Sequence, residues 1–260
     1  MSYETIALAV DGRGVATLTL NRPDTRNALS ATMIAELTDA AGRLGAEPDI
    51  RAVVLRGEGK VFCAGGDLNW MKAQIAADRE TRIGEAGKLA GMLRALNEMP
   101  KALIGRIHGA AMGGGVGLAC ICDIAIAAED TRFGLTETRL GLIPATIGPY
   151  VVARMGEGAA RQVFMSARLF GAAEAERLRV VARAVPEAEL DMAVEAEVEP
   201  YLHVAPGAVG ASKALARALG PRIDDAVIEN TIRRLADTWE GEEAAHGIEA
   251  FLSKTPPRWA

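Results

Sequence analysis

Two short runs of small residues in this chain can expose main-chain N–H groups to a ligand. The first run is Ala64–Gly65–Gly66, just before Asp67, and the second is Gly113–Gly114–Gly115; each follows a stretch with strand character. Side chains this small let a ligand approach the main chain, so N–H groups from two loops can bind one oxygen atom that gains negative charge. Tight packing of a helix on a strand also selects glycine. Either run alone therefore leaves both interpretations open.

A single carboxylate stands out for acid-base chemistry. Glu137 lies in the segment RFGLTETRLGLIPATIGPY, residues 132–150, among leucine, isoleucine, phenylalanine and proline. Apolar surroundings disfavour a carboxylate anion, and the raised pKa that results makes a glutamate a usable proton donor and acceptor near neutral pH. The alternative, that Glu137 lies in an exposed loop, stays open on the sequence alone.

Other catalytic patterns are missing from the sequence. The chain contains no G-x-S-x-G, no G-x-x-x-x-G-K-[ST] and no G-x-G-x-x-G, which disfavours hydrolase triads, nucleotide loops and dinucleotide folds. No metal site is predicted from the histidines, which are expected to be packed or on the surface: His108, His203 and His246. Reduced, buried thiols are expected for the cysteines, which match no zinc spacing: Cys63, Cys120 and Cys122.

Composition limits the class of protein. Half of the 260 residues are hydrophobic, enough for one large core or a core with an appendage. The net charge is −5 with lysine and arginine scattered, so neither nucleic acid nor a membrane surface is an expected partner. The start MSYETIALAVDGRG lacks the features of a signal peptide, and no apolar stretch approaches the roughly 20 residues of a membrane span. These features predict a soluble, cytoplasmic protein.

The elements that must position the glycine runs and Glu137 alternate between strands and helices. TIALAV and VATLTL around DGRG predict a hairpin, and AVVLRG, ALIGRI and DIAIAA predict further strands. Ser30 is the expected N-cap of a helix over about residues 31–45, and residues 67–99 are predicted to be helical up to Pro100. From about residue 147 the pattern predicts helices almost to the end. Alternating elements of this kind predict an α/β core with parallel strands.

In their order along the chain, NRPDTRNALS, FCAGGDLNWM, IHGAAMGGGVGLACICDIAIA, FGLTETRLGLIP and GIEAFLSKTPPRW resemble the enoyl-CoA hydratase/isomerase family, the crotonase superfamily. The resemblance covers essentially the whole chain. It implies an α/β crotonase fold with a core of repeated ββα turns in residues 1–200. It also implies a helical C-terminal trimerisation region in residues 201–260, and a homotrimer or a dimer of trimers.

The resemblance also implies catalytic roles. The backbone N–H groups of Ala64 and Gly114 fall on the positions of the family's oxyanion hole, which holds the thioester oxygen, and Glu137 falls on a catalytic glutamate. Typical hydratases of the family have a second glutamate three residues after the oxyanion glycine. Here that position is Gly117, so only Glu137 remains.

Coenzyme A is implied as part of the substrate, with no separate cofactor. Arg26 matches a position that meets the nucleotide end, and carbonyl groups around CAGG are expected at the adenine. Phe251 and Lys254 match tail positions that reach CoA from a neighbouring subunit, the alternative being a tail helix that packs its own phenylalanine. The remaining residues that the resemblance places at CoA are Cys63, Ala64, Gly66, Asp67 and Leu68.

DLNWM, GGGVGL and TETRLGLIPATIGPYV resemble the bacterial branch of methylglutaconyl-CoA hydratases of leucine and isoprenoid breakdown. The resemblance implies addition of water across C2=C3 of a branched or carboxylated 2-enoyl-CoA by a single glutamate. Two alternatives stay open: a Δ3,Δ2-enoyl-CoA isomerase with Glu137 as proton shuttle, and a CoA-binding protein without turnover. Candidates for binding a distal carboxylate are Lys72, Arg82 and Arg139.

Overall fold

The computed structural model describes residues 3–260. The strands are β1 (Ile6–Val10), β2 (Val15–Leu20), β3 (Ala52–Gly57), β4 (Ala102–Ile107), β5 (Ala110–Met112), β6 (Ile124–Ala128), β7 (Arg132–Gly134), β8 (Leu169–Gly171) and β9 (Arg183–Val185). The helices are α1 (Ala31–Ala46), α2 (Leu68–Ala76), α3 (Arg79–Glu98), α4 (Gly114–Ile121), α5 (Gly148–Met155), α6 (Glu157–Phe164), α7 (Ala172–Arg177), α8 (Leu190–Val198), α9 (Pro206–Leu219), α10 (Asp225–Trp239) and α11 (Glu242–Ser253). None of the helices in this range is long and apolar enough to cross a membrane.

The hairpin of β1 and β2 and the helix α1 form where the local sequence predicts them. β1 and β2 pair antiparallel, and the Asp11 carboxylate accepts hydrogen bonds from the N–H groups of Arg13 and Val15 in the turn between them. The Ser30 hydroxyl accepts a 3.2 Å hydrogen bond from Met33 N–H and begins α1, as an N-cap does. The predictions of the hairpin and of this helix are therefore confirmed.

Within residues 3–260 the central sheet has the strand order β1-β2-β3-β4-β6-β9, and every pair after the hairpin is parallel. α1 and α3 pack together over one face, with Leu37, Leu93 and Leu103 in the same core. α8 covers the other face, where Leu190 packs near Ile104. The predicted α/β core with parallel strands is confirmed.

A smaller sheet of β5, β7 and β8 carries the residues of interest. β5 pairs parallel with β7, so the glycine run after β5 and Glu137 after β7 leave the same edge of this sheet. Two isolated bridges, Cys63 with Ala111 and Leu29 with Gly66, attach the other small-residue run to β5 and to the segment before α1. The two small-residue runs, which are far apart in the sequence, thereby lie next to each other.

Two sequence-based predictions are wrong in detail. The segment predicted as one helix over residues 67–99 contains α2 and α3, because the Asp78 carboxylate accepts a hydrogen bond from Thr81 N–H and starts a new helix. The region predicted as helical after residue 147 also contains β8 and β9, which pair with β7 and β6. Strands of three residues are too short to show a periodicity of their own.

The C-terminal helices pack on the core of the same chain. α10 lies against α3, and α11 lies against the short 3-10 helix Glu137–Leu140. The predicted boundary at residue 200 falls inside another 3-10 helix, Glu199–His203. A role of this region in trimer formation stays a prediction.

Candidate active site

A cavity of about 810 Å³ lies where both small-residue runs and the 3-10 helix of Glu137 meet. Its walls include Ala64–Leu68, Met112–Gly114, Glu137 and parts of α10 and α11. The remaining surface is mostly aliphatic and aromatic, and its members include Leu29, Met71, Leu142, Ile143, Pro144, Ile147, Leu235 and Trp239. This mixture of an apolar wall with a few converging polar groups is typical of a small-molecule site.

The two small-residue runs contact each other directly. Gly65 has a φ of +94°, and a Cβ atom there would lie 3.0 Å from Met112 O, so neither the conformation nor the space suits another residue. Gly113 has a φ of +47° and donates a 2.8 Å hydrogen bond from its N–H to Gly134 O. The predicted convergence of two bare main-chain segments is therefore present.

The unpartnered N–H groups differ from the pair expected from the sequence. Ala64 N–H donates a 3.0 Å hydrogen bond to Arg26 O, so it is not available to a substrate oxygen in this structure. The N–H groups of Gly66 and Gly114 have no hydrogen-bond partner among the residues described, and both residues border the cavity. This corrects the expectation for Ala64: the candidate donor from the first run is Gly66. Gly114 stays the candidate from the second.

Glu137 places a carboxyl group beside the second glycine run of the cavity. It starts the 3-10 helix that follows β7, and its Oε1 lies 3.0 Å from the point where a Cβ of Gly113 would be. Its Oε2 is shielded from solvent and has no hydrogen-bond partner within residues 3–260. Burial raises the pKa of Glu137 to about 7, against a smaller opposing effect of its own backbone N–H. A carboxyl group that titrates near neutral pH can both donate and accept a proton there.

Gly117, at the position of the family's second glutamate, lies in the middle of α4 and is buried. A Cβ atom at this position would lie 2.4 Å from Ile147 Cγ2. The side chain of Ile147 thus occupies the space next to Gly117. This contact could not be predicted, because the two residues are thirty positions apart in the sequence.

The residues expected at CoA divide into two groups. Arg26, Gly66 and Leu68 border the cavity. Cys63 does not: its N–H and C=O pair with Ala110 O and Met112 N–H in β5, and burial raises the pKa of its thiol to about 12. The prediction that Cys63 contacts CoA is therefore not supported, since neither its main chain nor its side chain is free.

Asp67 borders the cavity, but its carboxylate has structural partners. It accepts hydrogen bonds from Asn69 N–H and Trp70 N–H at the start of α2, and forms a 2.9 Å ion pair with Arg22. Although burial opposes ionisation, the Arg22 guanidinium and the two N–H donors outweigh it and lower the pKa of Asp67. The carboxylate therefore holds the loop, and the contact of Asp67 with CoA stays a prediction.

The tail contacts the site of its own chain. Phe251 lies on α11, is 52% exposed, and borders the cavity. α11 sits tightly on the 3-10 helix of Glu137, where a Cβ atom on Gly247 would lie 2.6 Å from the Leu140 carbonyl carbon. Phe251 thus lies at the cavity of its own chain, and the expectation that it reaches CoA from a neighbouring subunit stays a prediction. Lys254 ends α11 in a left-handed conformation, exposed and outside the cavity.

Two of the three candidates for a distal carboxylate border the cavity, Lys72 and Arg139. Arg82 does not, because its guanidinium donates to the carbonyls of Gln74 and Ile75 at the end of α2 and lies 5.7 Å from the centre of the Trp239 ring. Trp239 itself lines the cavity from α10. Trp239 could not be selected as a site residue from the sequence, because the apolar pattern of α10 indicates only that one face of the helix is buried.

The histidines and cysteines match their expectations. No histidine borders the cavity: His108 contacts Gly59 O at 2.8 Å, His203 contacts Glu199, and His246 accepts a hydrogen bond from Arg258 N–H. All three cysteines are free and buried.

Known proteins match the chain along its full length. The family described as Enoyl-CoA hydratase/isomerase matches residues 11–260. A relative from Mycobacterium tuberculosis named "Probable enoyl-CoA hydratase echA8" is 34% identical, with 100% of this chain and 99% of the relative covered. The crystal structure of an enoyl-CoA hydratase from Shewanella pealeana superposes with a TM-score of 0.81 at 35% identity, covering 99% of this chain and 96% of that one. Pseudomonas aeruginosa AtuE superposes with a TM-score of 0.81 at 38% identity, covering 99% and 100%.

The fold and its likeness to these structures define an enzyme with the crotonase fold, as predicted. The chain belongs to the enoyl-CoA hydratase/isomerase family.

Proposed function

We propose that this enzyme adds water across the C2=C3 bond of a 2-enoyl-CoA, with Glu137 as its single acid-base group. One observation carries the proposal. The carboxyl group of Glu137, whose Oε2 is shielded from solvent without a hydrogen-bond partner in the described range and whose pKa is about 7, borders the same cavity as the unpartnered N–H groups of Gly66 and Gly114. The names of the relatives agree with this activity.

The two N–H groups act on the thioester carbonyl. When Gly66 N–H and Gly114 N–H donate to the carbonyl oxygen, electron density moves from C3 towards that oxygen as it gains enolate character. Gly114 is the first residue of α4, and the positive end of a helix favours negative charge there. The loss of one such donor typically costs about 2.7 to 4 kcal/mol of transition-state stabilisation.

Glu137 moves the proton. As an anion it takes one proton from a water molecule while the water oxygen bonds to C3, and it then returns a proton to C2, which completes the addition of H and OH. The buried, apolar position makes the anion reactive as a base, and the pKa of about 7 keeps a large fraction ionised at neutral pH. General acid-base help of this kind typically contributes about 10²- to 10⁴-fold.

CoA enters as part of the substrate in this proposal, with no further cofactor. Arg26 provides a positive charge for the phosphates, and Leu68 and Phe251 provide apolar surface along the same cavity. Lys72 and Arg139 border the cavity as well, and support a branched acyl group with a distal carboxylate, such as 3-methylglutaconyl-CoA. The trimer or hexamer and the cytoplasmic location stay predictions.

A second candidate activity follows from the single carboxylate. Because glycine stands at position 117, Glu137 is the carboxylate left of the two family positions to carry a proton between C2 and C4, and one carboxylate is sufficient for a Δ3,Δ2-enoyl-CoA isomerase. A hydratase gives a 3-hydroxyacyl product, whereas an isomerase gives a conjugated 2-enoyl product. The third alternative, a CoA-binding protein without turnover, gives neither.

The test compares purified wild-type enzyme with Glu137→Gln. The absorbance of the conjugated thioester is followed with crotonyl-CoA and 3-methylglutaconyl-CoA, and with a 3-enoyl-CoA for isomerisation. We expect hydration by the wild type and a loss of kcat/KM of about 10²- to 10⁴-fold in Glu137→Gln. Glu249→Gln, an exposed position on α11 outside the cavity, is the matched control and keeps wild-type rates. Nearly full hydration by Glu137→Gln would show that the mechanism is wrong.

A further inference from the structure

Ile147 holds a defined position between α4 and the cavity. A Cβ atom on Gly117 would lie 2.4 Å from Ile147 Cγ2 and 2.9 Å from Ile147 Cβ, so the isoleucine lies directly against the main chain of α4. Ile147 is only 2% exposed, yet it borders the cavity. Its side chain therefore forms part of the inner wall rather than of the entrance.

The position of Ile147 along α4 relates it to the reacting atoms. Gly117 follows Gly114 by three residues in α4, so both lie on the same side of the helix, about 4.5 Å apart along its axis. Under the proposed function Gly114 N–H binds the thioester oxygen, and C3 lies two bonds beyond the carbonyl carbon. An acyl chain that extends along α4 from Gly114 brings the substituent on C3 alongside Gly117 and against Ile147.

The side chain of Leu29 packs against Gly114. A Cβ atom on Gly114 would lie 2.7 Å from Leu29 Cδ1, so the surface next to this glycine is apolar as well. The wall on the side of Ile147 continues through Leu142, Ile143 and Pro144, all apolar. The acyl substituent thus meets an aliphatic surface.

Ile147 is also a stiff part of this surface. Branching at Cβ restricts its χ1 rotamers, and the contact with Gly117 leaves no room on the other side of the side chain. It immediately precedes α5, which fixes its main chain. A rigid wall of this kind limits the size of a ligand more sharply than a flexible one.

We propose that Ile147 is the specificity-determining residue that limits the size of the substituent on C3 of the acyl group. The proposal rests on the proposed function, because it assigns the position of C3 from the oxyanion donor at Gly114. Removing atoms from Ile147 opens space for additional methylene groups on C3, and one methylene in an apolar pocket changes kcat/KM by about 10- to 200-fold.

The test measures the ratio of kcat/KM for trans-2-hexenoyl-CoA to that for crotonyl-CoA in wild type, Ile147→Val and Ile147→Ala. This ratio does not depend on the fraction of folded enzyme. We expect it to rise by about tenfold or more in Ile147→Ala, with a smaller rise in Ile147→Val. Ile126→Ala removes the same atoms from a buried isoleucine on β6, in the core that faces α8 and outside the cavity, and leaves the ratio unchanged.

The outcomes separate this proposal from the proposed function. A wild type that hydrates crotonyl-CoA, together with an unchanged ratio in both Ile147 variants, overturns only the role of Ile147. An equal rise of the ratio in Ile126→Ala also overturns it, because general loosening of the core would then be the cause. A wild type that hydrates neither thioester overturns both proposals.

Discussion

The contact between Gly117 and Ile147 predicts that replacing this glycine by alanine destabilises the enzyme, whereas the same replacement at an ordinary glycine in a helix stabilises a protein. Replacing a glycine by alanine inside a helix normally stabilises it by about 0.5 to 1 kcal/mol, because alanine loses less backbone entropy on folding. At Gly117, in the middle of α4, the added methyl group would lie 2.4 Å from Ile147 Cγ2, which is too short for two carbon atoms. We therefore expect Gly117→Ala to lower the free energy of unfolding.

The size of the effect follows from two opposing terms. Inserting a methyl group into a filled core typically costs about 1 to 3 kcal/mol, and Ile147 has little freedom to move away. Subtracting the helix preference of alanine leaves a net loss of about 1 kcal/mol, within a range from about 0 to about 2.5 kcal/mol. Ile147→Ala alone should cost about 2 to 5 kcal/mol, since it leaves a cavity. In that background Gly117→Ala should cost less than in the wild type, because the 2.4 Å contact with Ile147 Cγ2 is gone and only the 2.9 Å contact with the Cβ at position 147 remains.

The assay is equilibrium unfolding in urea for wild type, both single variants and the double variant, at one protein concentration because oligomers couple stability to concentration. We expect an interaction free energy of about 1 to 2 kcal/mol between the two sites, within the range for residues in contact. Gly91→Ala is the matched control, because a Cβ atom there, on α3, would meet nothing within 4 Å, and it should stabilise the enzyme. If Gly117→Ala stabilises as much as Gly91→Ala does, Ile147 does not fill the space.

Three further predictions concern the carboxyl groups and one buried phenol. Because folding raises the pKa of Glu137 from 4.5 to about 7, the folded chain keeps a proton that the unfolded chain releases, so stability falls by up to about 3 kcal/mol between pH 4.5 and pH 7. Urea midpoints at pH 5 and pH 8 should show this fall in the wild type and a smaller fall in Glu137→Gln. The kcat/KM of the wild type should rise with pH through about 7, because the anion of Glu137 is the base. A pH-independent kcat/KM would contradict that role. Asp67→Asn keeps a cap for α2 but loses the charge that pairs with Arg22, so it should lower the free energy of unfolding by about 1.5 to 3 kcal/mol in the same assay. An unchanged urea midpoint would show that the ion pair contributes nothing to stability. Tyr150 is 3% exposed and its hydroxyl has no hydrogen-bond partner in the described part of the chain, so Tyr150→Phe should leave the melting temperature unchanged or raise it, and a clear drop would reveal a partner for the hydroxyl.

Local signals predicted much of the fold. The hairpin, the Ser30 cap and the strands of the central sheet are each encoded within about ten residues, so the sequence suffices for them. The break between α2 and α3 was missed because Asp78 lies inside a pattern that continues as a helix on both sides. β8 and β9 were missed because three-residue strands exist only through their partners.

The candidate site was predictable in its residue types but not in its contacts. Glu137 and the two glycine runs could be selected because their chemistry and spacing are visible in the sequence. The choice between Ala64 and Gly66 as donor depends on where Arg26 O lies, and that is set by the loop before α1. The filling of the space at Gly117 likewise depends on a residue that is remote in sequence.

The placement of α11 has a consequence for the order in which the enzyme is made. Domains tend to fold from the N-terminus during synthesis, and every group proposed for the chemistry, from Gly66 to Glu137, is translated before residue 140. The helix Glu242–Ser253, which rests on the 3-10 helix of Glu137 and brings Phe251 to the cavity, is translated more than a hundred residues later. A nascent or truncated chain therefore contains the reacting groups with one wall of their cavity missing, and that wall is completed only after the segment that forms α11 has left the ribosome.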